Sequence, residues 1–509
     1  MGVPTAINVA TIPSADSRAC AHVMLDTERL RILPLPDAAR VRFACWRQPE
    51  NSRDGAIAGV IRRSAPRQRG GAILEQMVLR KTVCLRRLGG HRRGEERAGR
   101  FFANQKVTAA KIVEGWSMLT GPACAGRHVL AIQDTTEVKF PTTAQRRRGL
   151  GPVKHGNTYG VLVHAMIAVD ASTTACLGLV GGEVWTRPGV VTEHHRDRPL
   201  VERESRRWLA TAERAKEVLQ PAAMVTVVAD REGDIYPNWA CLPPAGVHLL
   251  TRAMVDRRLV EGGTLFGAAA GFAVAGRRQI ELPARQPDRA KRTAIVELRF
   301  GEVEIYRPRD EQDRTLAATV RLRLVDVREV DPPDGAEPLH WRLMSTHEIT
   351  DAAKAWQVVG WYQARWIIEQ LFRVMKSQGL QLEDSQLATG ERLVKLAAAA
   401  TKAACIDMQL VQERDGKDQL PASTIFTEPE IETLEALSPT LEGKTERQQN
   451  LHPVASLAWA AWIIARLGGW NCYYKPPGPI TMRRGMEQFY PIHRGRQLEM
   501  RLKREVRIP

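Results

Sequence analysis

The sequence predicts a layered α/β protein with a β-rich insertion and a helical C-terminal region, and three observations carry that prediction. Two apolar runs of strand character, His128-Val-Leu-Ala-Ile-Gln-Asp134 and Met224-Val-Thr-Val-Val-Ala-Asp230, each end on an Asp, with further strands and a charged helix between them. Alternating apolar and polar residues mark the stretch from about 255 to 345 as strands broken by Gly, Pro and Asp turns. From about 351 onward the pattern is helical.

Residues 1–98 are Arg-rich and broken by Pro and Gly, without a sustained hydrophobic period, and no fold is assigned to them. Of the 19 basic residues in positions 1–100, 18 are Arg, whereas Lys supplies 14 of the other 55. A helix over Lys106 to Leu119 then leads into the first strand. Gly160–Val169 and Ala175–Val180 have the apolar density of buried sheet, and a charged helix is expected over Arg196 to Leu219. Strand, helix, strand makes 99–254 the first part of a layered domain. Residues 255–345 form the insertion, with strands at Thr293–Phe300 and Ala318–Val325. A long helix over about 351–377 lies within a segment, 346–390, that closes the core, and 391–509 is the helical remainder, available for dimerisation.

The formal net charge is +17 and the pI about 9.8, which points to a polyanionic partner, with nucleic acid foremost. The eight cysteines are scattered, with no CxxC pair and no His at zinc-site spacing, and read as reduced thiols. The adjacent His194 and His195 read as surface residues. No apolar run is long enough to span a bilayer and no signal peptide is evident, so a cytoplasmic protein that makes no membrane contact is expected. The GxxxxGK[ST], HExxH and GxSxG motifs are all missing, which leaves little support for ATP-driven and zinc-hydrolase readings.

Asp134 and Asp230 end their strands where α/β domains bind ligands, although either Asp alone is more simply a turn former. A third carboxylate gives the pair meaning. In the helix around Trp361–Lys376, the residues Tyr362, Arg365, Glu369 and Lys376 stand at offsets that fall within an arc of roughly 60°. One face thus carries a carboxylate, two cations and a phenol, while Trp361, Trp366, Ile367, Ile368, Leu371 and Phe372 make the helix apolar over much of its remaining surface. An i,i+4 ion pair between Arg365 and Glu369 on a solvated face is the plainer reading. Three carboxylates can instead hold two Mg²⁺ ions about 4 Å apart, one activating water or a 3′-hydroxyl and the other stabilising the departing oxygen of a phosphodiester. Arg365 and Lys376 would then hold phosphate oxygens, and Tyr362 would donate a hydrogen bond to another phosphate.

These residues resemble those of the DDE cut-and-paste transposases of bacterial insertion sequences, in the group called family four, which includes the transposase of transposon five. The resemblance rests on Asp134-Thr-Thr, Asp230-Arg-Glu-x-Asp-Ile-Tyr and Tyr362-x2-Arg365-x3-Glu369-x6-Lys376, and it extends over Glu183–Pro188 and Ala465–Trp470. It implies a ribonuclease-H-like mixed sheet flanked by helices, with the β-rich insertion, in an enzyme that cleaves DNA and joins it to a target. It also implies that Asp134, Asp230 and Glu369 bind Mg²⁺, with Mn²⁺ accepted, and that Tyr362, Arg365 and Lys376 clamp phosphates. Trp341 would stack on a flipped base, Trp366 would help displace it, and Arg252 would touch DNA. The partners implied are double-stranded DNA, at transposon ends and target, and a second copy of the chain in a homodimer on paired ends.

Family members carry a helical domain that recognises the transposon end. Arg100–Asn104 and Val107 match the close of that domain, but the stretch before it lacks the helical pattern. With the Arg-for-Lys skew, this makes about the first 95 residues a candidate for a frameshifted, misplaced or decayed N-terminus. Two rivals follow: a nuclease on the same fold, and a defective copy that competes for DNA or for active partners.

Overall fold

The computed structural model describes residues 65–140, 149–153, 158–187, 204–241, 246–282, 292–416, 420–473 and 476–506. All of these fall in one compact unit, Cys45–Pro509. Most of the Arg-rich N-terminus, part of the expected charged helix, and His194 and His195 lie outside the described residues.

The described chain begins with three helices, α1 (Ala65–Arg80), α2 (Leu85–Gly89) and α3 (Arg92–Ala103). No helix was expected in most of this stretch, because α1 has almost no amphipathic pattern and α2 is only five residues long. What makes them helices is largely tertiary. Gly90 ends α2 in the left-handed region (φ 67°), the His91 side chain accepts from Gly94 N to cap α3, and Ala98, Phe101 and Phe102 are buried. Gly89 and Gly94 let the two helix backbones meet where any Cβ would collide with the opposing main chain. Helices α4 (Ala109–Ser117) and α5 (Gly121–Cys124) follow, α4 capped by the Thr108 hydroxyl.

The sheet is built next from β1 (His128–Phe140), the short β2 (Gly151–Pro152), β3 (Tyr159–Asp170) and β4 (Cys176–Trp185), then α6 (Arg206–Leu219), β5 (Met224–Ala229), α7 (Tyr236–Cys241) and β6 (Val247–Arg252). Strand β1 runs antiparallel to β3 and parallel to β5, β3 is antiparallel to β4, and β5 is parallel to β6. The core order is therefore β4-β3-β1-β5-β6, the expected mixed sheet flanked by helices. Strand β1 runs six residues past Asp134, so this Asp lies within the strand and not at its end as expected.

After α8 (Leu265–Gly271), strands β7 (Val274–Leu282), β8 (Arg292–Tyr306), β9 (Thr319–Glu329) and β10 (His340–Ser345) supply the expected β-rich region. They do not fold away from the core: β10 pairs with β6, and the one sheet continues through β9 and β8 to β7.

The expected long helix is two helices, α9 (Ala352–Gln363) and α10 (Trp366–Arg373), broken at Ala364 and Arg365 and followed by a π-helical turn, Val374–Gln378. Helix α11 (Gly390–Gln412) is buried almost all round from Leu393 to Leu410, its Ala- and Leu-rich faces interrupted by buried Lys395, Lys402, Asp407 and Gln409. It packs on β3, β4, α1, α4 and α10. Helices α12 (Glu428–Leu441), α13 (Leu457–Leu467) and α14 (Pro479–Val506) complete the chain. The N-terminal helices are tied to this C-terminal layer by polar contacts. Lys81 pairs with Asp407 (3.2 Å), Lys395 donates to Asn104 O (2.9 Å), and Arg494 pairs with Glu75 (2.5 Å). No helix among the described residues is long and apolar enough to cross a membrane.

Candidate active site

The pairing of β1 with β5 matches His128 to Met224 and Ile132 to Val228, so the register brings Asp134 level with Asp230 just beyond the last paired residues. Asp230 follows β5 at the start of a 3₁₀ turn, and its Oδ1 accepts from Glu232 N (2.8 Å). Asp134 is 7% exposed, and both its oxygens are held: Oδ1 by the Thr135 amide (2.7 Å) and Oδ2 by Arg365 Nη1 (2.8 Å). The break between α9 and α10 sets Arg365 against the sheet, where the same Nη1 stands 3.5 Å from Glu369 Oε1. One guanidinium thus bridges the strand carboxylate and the helix carboxylate.

The electrostatics follow from that crowding. Burial, and then the neighbouring charge of Asp230, push the Asp134 carboxyl up to about 7, against the opposing pull of Arg365. The Arg365 guanidinium is raised, because the attraction of Asp134, Tyr362, Asp230 and Glu369 outweighs its burial. Its Nε is buried without a hydrogen-bond partner among the described residues. Among those residues no three His, Cys, Asp or Glu groups are gathered closely enough to hold an ion, and the cation at the centre is Arg365. The donor set nevertheless suits a hard divalent cation: its oxygens are carboxylate oxygens, and the acids outnumber the one cation bridging them.

The remaining expected residues are distributed around this centre. Tyr362 is buried, and its phenol is pushed up by burial against the pull of Arg365 and Arg252. Trp341 is buried too, T-shaped against Tyr362 with ring centroids 5.6 Å apart, so its ring is not presented at the surface for stacking. Trp366 is the opposite case, 41% exposed, with the Arg365 guanidinium 5.3 Å from its ring. Arg252 donates to His340 O (2.7 Å), while burial lowers its guanidinium and Tyr362 opposes that. Lys376 lies in the π-helical turn and not on a continuous α-helical stripe. Burial lowers its ammonium, with Glu383, Glu137 and Glu369 opposing.

Sequence reasoning passed over Arg231, which is exposed and close enough to act electrostatically on Tyr362 and Arg252. It also passed over Glu232, whose carboxyl is pushed up by burial and by Asp230. Both sit beside Asp230 in Asp-Arg-Glu, the signal that could have found them.

Fold and centre together define a class: a mixed α/β domain with acidic side chains carried by two adjacent strands and a neighbouring helix. The family model described as "Transposase DDE domain" matches residues 126–406, more than half of the chain, and the chain belongs to that family. Its members catalyse DNA cleavage and strand transfer and use divalent metal ions. Among solved structures, the chain is similar to the piggyBac transposase in a synaptic complex with hairpin DNA determined by cryo-EM, with a TM-score of 0.32 and 10% identity. That match covers 73% of this chain and 54% of the other, about half its length.

Proposed function

We propose that this chain is a cut-and-paste DNA transposase of the insertion-sequence group called family four, akin to the transposase of transposon five. Its substrates are double-stranded DNA at the transposon ends and at the target, and it works as a homodimer on paired ends, in the cytoplasm where that DNA lies. The observation that carries the reading is the Arg365 guanidinium that bridges Asp134 and Glu369, with the charge of Asp230 acting on both Asp134 and Arg365. The domain plan follows the sequence division into a core of 99–254 and 346–390, an insertion at 255–345 and a helical region at 391–509. Residues 65–98 add helices to that C-terminal layer.

In this reading Asp134, Asp230 and Glu369 hold Mg²⁺, or Mn²⁺ in its place. Two such ions, when bound, would polarise the phosphodiester and activate the attacking water or 3′-hydroxyl. The chain's own groups orient the DNA. Arg365, released from Asp134, has a planar fork suited to a phosphate, and Lys376 supplies a second positive charge beside Glu369. Tyr362 and Arg252 line the adjoining wall, and exposed Trp366 offers an indole face to an unstacked base. Buried Trp341 can join it only if its surroundings, Tyr362 among them, move aside.

The test is Mg²⁺-dependent cleavage and strand transfer on a fragment carrying the element's own ends, comparing the chain with Glu369→Gln. Cleavage and joining that vanish in the variant are expected. Cleavage without joining would mark a nuclease, and no reaction from either protein would mark a defective copy.

A further inference from the structure

On the face of the sheet opposite Asp134 lies a polar chain of Gln133, His164 and Thr135. Adjacent residues of a strand point to opposite faces, so with Asp134 facing α10, Gln133 and Thr135 face α6. The β1–β3 register sets Thr135 directly across from His164. The His164 ring is 1% exposed, lies edge-on to Trp208 of α6, and reaches Thr135 Oγ1 through Nδ1 (2.8 Å) and Gln133 Oε1 through Nε2 (3.2 Å).

The donors can be assigned from chemistry. Gln133 Oε1 can only accept, so Nε2 carries the proton, Nδ1 is bare, and the Thr135 hydroxyl donates to it. A neutral ring agrees with its surroundings: burial, with Arg207 and Arg214 nearby, pushes His164 down to about 3. Thr135 is thereby pinned at its side chain, and its backbone amide is the donor that fixes Asp134 Oδ1.

We infer that His164 is a positioning residue for the metal-binding carboxylate: through Thr135 it sets the orientation in which Asp134 presents its oxygens. This rests on the assignment of Asp134 as a metal ligand. Outer groups that orient a ligand are typically worth about 10–100-fold in metal affinity.

The experiment is Mn²⁺ binding to the full-length chain, followed by electron paramagnetic resonance, with thermal melting as a check of folding. His164→Leu and Thr135→Val should each weaken Mn²⁺ binding by roughly tenfold or more. The double variant should be no weaker than either single one, because both cut the same link. The two conservative variants separate positioning from packing. His164→Asn places an amide oxygen near the Nδ1 position, where it can accept from Thr135, and should stay close to the parent. His164→Gln reaches toward Gln133 instead and should bind as weakly as His164→Leu. Asp134→Asn serves as the reference. If it weakens binding while folded Thr135→Val and His164→Leu bind like the parent, the positioning role is overturned and the ligand assignment stands. If the parent binds no Mn²⁺ saturably, or Asp134→Asn leaves binding unchanged, the carboxylate reading fails and takes this inference with it.

Discussion

Two buried ion pairs bind distant parts of this chain, and they are built on different charge balances. Arg365–Asp134 joins β1 to the break that starts α10, and Lys81–Asp407 joins the N-terminal helices to α11. Both carboxyls are pushed up chiefly by burial, Asp134 to about 7 and Asp407 to about 6. Around Asp134 the next contributions are Asp230, which raises it, Arg365, which lowers it, and Glu369, which raises it again. Around Asp407 Lys81 alone opposes burial, and no second acid contributes. The tie is one cation for one anion, sealed in a helical layer. At the centre one guanidinium bridges two acids, a third, Asp230, adds its charge, and Glu369 keeps 37% of its side chain exposed. An acidic surplus beside an opening invites further cations, and a balanced sealed pair does not.

Removing one acid should therefore have opposite consequences in the two places. Asp134→Asn is expected to abolish cleavage and joining while raising the melting temperature of the metal-free protein, because it relieves repulsion at a site kept for activity. Asp407→Ala should leave the activity per folded molecule unchanged and cost about 3–5 kcal/mol, since it strands a buried Lys81. Denaturant titration and a cleavage assay on the same preparations check both. A loss of stability in Asp134→Asn would break the comparison.

The pH dependence sharpens it. An acid whose folded value lies above its unfolded one holds more protons when folded, so stability falls as pH rises from about 4 toward 7. The gain in Asp134→Asn should accordingly be absent near pH 4 and largest above 7, read from melting curves across that window. Divalent-ion affinity runs the other way. The ligand must be ionised, so Mn²⁺ binding should weaken by about tenfold per pH unit below 7. The smallest effect belongs to the exposed pair Arg494–Glu75, where Arg494→Ala should change stability by no more than about 1 kcal/mol.

Much of this was legible in the sequence. Strand runs ending at Asp134 and Asp230 gave the core, and alternation gave β8 and β9, because periodicity is a local property. The Arg365–Glu369 spacing gave the helix contact. What was hidden depends on pairing. The continuation of β1 past Asp134 is set by β3, and the His164–Thr135 link by a register no local pattern encodes. The break at Ala364 and Arg365 was likewise invisible in an unbroken helical pattern. Helices α1 and α2 were missed because their order comes from docking on α11 and α14 and from a glycine crossing, and not from amphipathic spacing.

The central claim is that Asp134 is a metal ligand in a three-carboxylate centre, and replacing it with a softer donor tests this most directly. Asp134→Cys should be inactive in DNA cleavage with Mg²⁺, which disfavours sulfur, and should regain measurable cleavage when Mn²⁺ is supplied. Full activity with Mg²⁺, or a folded variant that Mn²⁺ fails to rescue, would contradict the account.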